Sequence, residues 1–167
     1  MTIEIRTAGK KDAALIADLS RKTFYDTFAP HNTAADMEKF MAEQFTGEKL
    51  MAEVGTPENT FLLANVAEKP AGYACLREWK GDPAKIEIAR LYADVEFIGK
   101  GIGKALMQAC IGLAEQRGKK TVTLGVWDKN ERAIAFYAAW GFEKVGQHDF
   151  VLGSDVQQDW IMQKQLR

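Results

Sequence analysis

Between residues 102 and 113 the apolar side chains Ile102, Ala105, Leu106, Ala109, Cys110 and Leu113 recur at intervals of three and four, with Lys104 and Gln108 off the stripe. That spacing predicts an amphipathic helix with one buried face, stopped at Gly118. Helices are likewise predicted over residues 11–28, ahead of the breaker Pro30, and over 33–45, where Met37, Phe40, Met41 and Phe45 share a stripe read as core. Thr46 caps a short helix running to residue 54, before Gly55 and Pro57, and a last helix covers 130–140 up to Gly141. Two-residue alternation and β-branched or aromatic content predict strands over 2–6, 60–66, 71–79, 85–93, 121–126, 143–150 and 159–164. The short link 67–70 makes a hairpin of the second and third strands, and Gly81-Asp82-Pro83 turns the chain into the fourth. The order is one strand, two or three helices, a three-stranded meander, helix, strand, helix and two strands. It gives an α+β fold with a central mixed sheet flanked by helices.

Composition narrows the classes. The 167 residues, 47% hydrophobic and 27% charged, suit one soluble domain spanning 1–167. Twenty-three acidic against 22 basic residues, net charge −1, give no electrostatic reason for nucleic-acid or anionic-membrane binding. Arg117, Lys119 and Lys120 sit at a helix end, where cations suit the dipole. No apolar run approaches the roughly 20 residues of a membrane span, and residues 1–6 begin as a strand rather than a signal peptide, so a cytoplasmic location is expected. Cys75 and Cys110 are read as buried thiols, and His31 and His148 form no ligand cluster with them, so no metal is expected.

Candidate chemistry starts just before the best-defined helix. Ile98-Gly99-Lys100-Gly101-Ile102-Gly103-Lys104 places three glycines at alternate positions, where backbone can approach a ligand closely and the first helical turn offers unpaired N–H groups to phosphate oxygens. A phosphorylated cofactor is predicted. The dinucleotide pattern fails, because Lys104 or Leu106 stands where its last glycine or alanine belongs; the nucleotide-triphosphate loop fails at Ile98 and at Ala105, which lacks the hydroxyl for magnesium.

The strand 85–93, five residues, Ile98-x-x-Gly101-x-Gly103, a further strand, and Asn130-x-x-Ala133-x-x-Phe136-Tyr137-x-x-x-Gly141-Phe142 together resemble the GCN5-related N-acetyltransferases (GNAT). The resemblance covers nearly the whole chain and implies acetyl-CoA as cosubstrate and a primary amine as acceptor. Ile98 departs from the family's usual Gln or Arg, which removes a side-chain contact and leaves the backbone ones at Gly99, Lys100, Gly101, Ile102, Gly103 and Lys104. A narrower resemblance, carried by Thr23-Phe24-x-Asp26-Thr27-Phe28, by residues 124–131 and by His148, Phe150, Gly153, Gln157 and Asp159, is to PaiA-type spermidine/spermine N-acetyltransferases. It implies a polyamine acceptor; peptide N-termini, amino acids, other small amines and a noncatalytic acetyl-CoA-binding module stay open, as does monomer or homodimer.

The chemistry needs a base. A lysine-like amine of pKa about 10.4 is neutral only about once in 2,500 molecules at pH 7, a cost of about 4.6 kcal/mol unless something accepts its proton. Glu87 occupies the strand position, six residues before Ala93, where several members of the family carry a glutamate acting as base directly or through water; pairing with Arg90, or facing solvent, is its alternative. Tyr137 matches the family's general acid, whose phenol serves the leaving thiolate; core packing beside Phe136 is its alternative. The resemblance also implies cofactor contacts for Leu91, Tyr92, Ala93, Asn130 and Tyr137, while Asn130 doubles as a helix cap. His148 has no assigned role, and Asp26, Asp155 and Asp159 are candidates to attract a polycation.

Overall fold

The computed structural model describes residues 1–167. In chain order the elements are β1 (Ile3–Thr7), α1 (Ala13–Phe28), α2 (Ala34–Glu43), α3 (Gly47–Glu53), β2 (Asn59–Val66), β3 (Lys69–Glu78), β4 (Lys85–Ala93), α4 (Ile102–Gln116), β5 (Thr121–Trp127), α5 (Glu131–Ala139), β6 (Glu143–Leu152) and β7 (Asp155–Gln165). The strands form one sheet in the order β1-β2-β3-β4-β5-β7-β6. Only β4 and β5 run parallel, so the sheet is mixed, as the pattern predicts.

Helices cover both faces. On one, the apolar stripe of α4, with Leu106 and Met107 fully buried, packs over Leu76, Ile86 and Val122. On the other, α1 lays Ile16 and Leu19 against Leu63 and Tyr73, while its far end joins α2 in an aromatic cluster of Phe24, Phe28, Phe40 and Phe45. Three helix starts carry side-chain caps: Thr33, Thr46 and Asn130 accept hydrogen bonds from the backbone N–H of Asp36, Lys49 and Ala133.

One irregularity positions the site. β4 and β5 are paired only from Lys85–Thr121 to Ile88–Leu124. In β4, Ala89 is then skipped against β3, a bulge that bends the strand, and beyond it β4 and β5 diverge. The edges of Arg90 to Ala93 and of Gly125 to Trp127 therefore face a wedge-shaped gap instead of each other.

The closing strands are longer than the pattern predicts, 143–152 and 155–165 instead of 143–150 and 159–164. A two-residue turn at Gly153-Ser154 joins them directly. The polar run hid this because its inward residue, Gln157, is buried by donating to Asn32 Oδ1 at 2.6 Å rather than by apolar packing. Gly153 has φ +64, and a Cβ there would lie 2.5 Å from the Asp36 Cα. Asp36 Oδ1 accepts from the Ser154 N–H and Oγ at 2.8 and 2.6 Å, so the hairpin tip is fastened to the first turn of α2. Both cysteines are free and buried, and burial pushes their thiols up, Cys75 to about 11 and Cys110 to about 12.

Candidate active site

A cavity of about 840 Å³ fills the gap between β4 and β5 and opens on both faces of the sheet. Its first end is the start of α4. Gly101, at φ +87, is the residue before the helix and has no side chain with which to cap it, and no backbone acceptor takes the N–H of Gly101, Ile102, Gly103 or Lys104. The four donors are left for a ligand, and the helix dipole adds positive potential. Lys104 and Arg132 line the same cavity and contribute the only basic side chains there besides Arg90. Arg132 escaped the sequence reading. Its signal was present: it stands in the first turn of α5, where a cation opposes the helix dipole and a ligand's anion would compensate.

The middle of the cavity is the gap itself. Leu91, Tyr92 and Ala93 line it, and on the side facing β5 their backbone groups have no strand partner. Asn130 and Tyr137 reach it from α5, on the α4 side. Asn130 also caps its helix, its Oδ1 accepting from Ala133 N–H at 3.2 Å. Burial raises the Tyr137 phenol well above its ordinary value, with Tyr92 and Cys110 adding to the effect, so it carries its proton at neutral pH. Tyr92 is pushed up to about 12, by burial first, with Arg90 opposing and Asp159 assisting.

Two predicted residues are not in the wall. Lys100, inside the glycine turn, does not line the cavity, its ammonium lying 5.7 Å from the centre of the Phe97 ring, and Glu87 sits where β4 is still hydrogen-bonded to both neighbours, opposite Arg77 and Thr123. The gap opens only past Ile88, which is why Glu87 does not reach it. Nor does Glu87 pair with Arg90, whose guanidinium gives both terminal nitrogens to Glu53 of α3, at 2.7 and 3.1 Å.

The second end lies on the α1–α2 side. Phe24, Phe28, Phe40, Phe45, Trp127 and Phe150 line it, so the aromatic stripe read as core is both core and wall. Its carboxylates are Asp26 and Asp159. Asp26 is held by Lys22 at 2.9 Å, whereas Asp159 has no ion pair with Lys or Arg. Asp159 stands opposite Trp127 on β5 and His148 on β6, and directly opposed residues share a face, so all three point the same way. Burial raises the Asp159 carboxyl from its ordinary value; His148 opposes this and Asp128 adds to it. No group of three His, Cys, Asp or Glu is gathered to hold a metal, and no helix is long and apolar enough to cross a membrane.

This geometry has known counterparts. An uncharacterized N-acetyltransferase of the pepI 3′ region in Lactobacillus delbrueckii subsp. lactis is 35% identical over 98% of both chains. A spermidine N(1)-acetyltransferase of Thermoplasma acidophilum is 27% identical over 91% of this chain and 96% of its own. The crystal structure of a PaiA N-acetyltransferase from the same organism, in complex with coenzyme A, superposes with a TM-score of 0.83 at 26% identity, covering 99% of this chain and all of the other. Residues 17–142 match the sequence model of the acetyltransferase (GNAT) family, and on that match and those relatives the chain belongs to the GNAT acetyltransferase family.

Proposed function

We propose that the protein transfers the acetyl group of acetyl-CoA to a primary amine, with a polyamine such as spermidine as the leading acceptor, by direct attack with both substrates in the cavity. The observation that carries this is the polarity of the cavity: free helix N–H groups and Lys104 at one end, the carboxylate of Asp159 at the other, and the protonated Tyr137 phenol reaching the space between. The residues fit acetyl-CoA. The N–H groups from Gly101 to Lys104 suit a pyrophosphate, and the unpaired β4 edge from Leu91 to Ala93 suits the amides of a pantetheine arm. Bound there, acetyl-CoA supplies an activated acyl carbon and a thiolate leaving group.

The chain's own residues then have separable tasks. The glycine turn and β4 edge hold the arm and fix the direction of attack. Unpaired β4 N–H groups stabilise the oxygen that gains charge as the acyl carbon is attacked. Tyr137 Oη, neutral because burial disfavours its phenolate, donates a proton to the departing sulfur. The acceptor's stem lies among the phenyl rings of the α1–α2 side, where aromatic faces attract both alkyl chain and cationic nitrogen. The polyamine reading is supported by the spermidine acetyltransferase relative and by a second match, at 34% over 67 residues, to a probable spermine N(1)-acetyltransferase of Bacillus subtilis subsp. natto.

Thiol release from acetyl-CoA, measured against spermidine, spermine, amino acids and peptides, tests the reading. Turnover with spermidine above the others supports it; turnover with peptides or amino acids alone replaces the acceptor; no turnover with any amine leaves a binding module.

A further inference from the structure

Glu87 lies in the paired part of β4 and does not line the cavity, and the cavity wall itself offers another proton acceptor. Gly125 is the first β5 residue past the last β4–β5 pair, and it lines the cavity. A Cβ at Gly125 would sit 3.7 Å from Asp159 Oδ2 and 3.7 Å from His148 Nε2, so the bare glycine leaves a space bordered by both. The His148 ring is oriented: its Nδ1 lies 2.9 Å from the Asp149 carbonyl, which can only accept, so Nδ1 carries the proton and a neutral ring turns the Nε2 lone pair toward the same space. An ammonium nitrogen just above Gly125 would meet a carboxylate oxygen and an imidazole lone pair, two acceptors for its three N–H bonds.

We propose that Asp159, with His148 beside it, is the ammonium site and the proton acceptor for the attacking amine. The inference rests on the acetyltransferase reading and deepens it. The other cavity carboxylate, Asp26, already has Lys22 beside it at 2.9 Å, and the cavity's Arg90 is taken up by Glu53 and so does not neutralise Asp159. The charged and titratable groups around Asp159 are His148 of β6, Asp128 in the turn after β5, and Tyr92 of β4. The protons balance as follows. The ammonium gives one proton to Asp159 Oδ2, and the freed lone pair forms the C–N bond to the acyl carbon. The C–S bond breaks, and the electron pair leaves with sulfur, which takes a proton from Tyr137 Oη. The nitrogen then loses its second proton, which restores the phenol, and Asp159 releases its own to solvent past the exposed His148. Per turnover, one ammonium and one thioester become one amide, one thiol and one proton.

The mechanism sets the pH profile. A base that must be ionised gives an acidic limb at the pKa of Asp159, which burial has moved above the usual carboxylate range, followed by a plateau until the free amine deprotonates near about 10. The test compares wild type, Asp159→Asn and Glu87→Gln with spermidine, or with the panel amine of highest kcat/KM if spermidine is inert. Asp159→Asn is expected to lose about a hundredfold or more in kcat/KM at pH 7 and to regain about tenfold per pH unit toward the amine pKa. Glu87→Gln is expected to keep the wild-type profile. Calorimetry without turnover gives an independent readout: Asp159→Asn weakens spermidine binding and leaves coenzyme A binding unchanged. Gly125→Ala, whose added methyl makes only ordinary contacts, should raise KM for the amine severalfold in a fully folded protein. A wild-type profile for Asp159→Asn, a loss that high pH does not recover, or a pH-rescued loss in Glu87→Gln instead overturns the assignment while leaving the acetyltransferase reading intact. Wild type inert toward every amine overturns both.

Discussion

The two ends of the cavity are built from different materials. At the start of α4 the site is backbone: four N–H groups left free because residues 99–104 run glycine-rich into a helix without a side-chain cap. At the other end it is side chain: Asp159 and His148 from β7 and β6, Trp127 from β5 and four phenylalanines from α1, α2 and the adjoining turn. The first end needs a short run of local sequence. The second needs a sheet, its register and two helices at once. Backbone donors suit what all acyl donors of one type share, a pyrophosphate, and do not depend on which side chain stands at position 98. A site made of convergent side chains recognises the variable partner, and one substitution can redirect it.

The contrast can be broken by perturbing each end alone. The largest effect is expected between them, at Tyr137→Phe, which keeps the ring's packing and removes the hydroxyl proposed to protonate the leaving sulfur. Turnover should fall by about 10- to 1,000-fold with coenzyme A and amine affinities nearly unchanged. Wild-type turnover would remove Tyr137 from the chemistry. Gly101→Val comes next. Its φ of +87 lies where a β-branched residue is strained by about 1–2 kcal/mol, and the side chain would crowd the phosphate site. Acetyl-CoA affinity, read by calorimetry on folded protein, should drop about tenfold or more; unchanged affinity would move the phosphates elsewhere. Wild-type protein should be stabilised by acetyl-CoA, by about 2.7 kcal/mol at a hundredfold excess over Kd, and by neither NAD nor ATP.

At the opposite end, Gly153→Ala forces a Cβ against the Asp36 backbone and should destabilise the protein by about 1–3 kcal/mol. Because it loosens the β6–β7 tip from α2, KM for the amine should rise while acetyl-CoA affinity holds; a matching loss of both would deny that the two ends are separate. The smallest effect concerns Asp159. A carboxyl whose pKa is raised by folding opposes folding when ionised. That cost is absent below the unfolded value of about 3.9, grows as pH rises through the folded value, and is complete at neutral pH. Asp159→Asn should therefore raise Tm at pH 7, a gain that disappears by about pH 3, even as it removes activity. A lowered Tm at pH 7 would mean that the charge stabilises the hairpin instead.

The sequence by itself determined the order and type of nearly every element, because each helix and strand carries its own period: the α4 stripe, the β2–β3–β4 meander and the terminal β pair are all local patterns. It located the glycine-rich end of the cavity for the same reason, since Gly101, Gly103 and the helix after them are contiguous. Tertiary structure alone decided where β4 and β5 part. That point follows from a bulge at Ala89 and a pairing that stops at Leu124, and it separates Glu87, one position before the last pair, from Gly125, one position after it. It also decided which acids stay free, as Lys22 lies close to Asp26 in sequence but no spacing announces that Glu53 takes Arg90 or that Asp159 faces His148. Periodicity records which face of an element is buried. It does not record which unpaired charges meet when strands distant in sequence lie side by side, and the acceptor end of this cavity is made of those meetings.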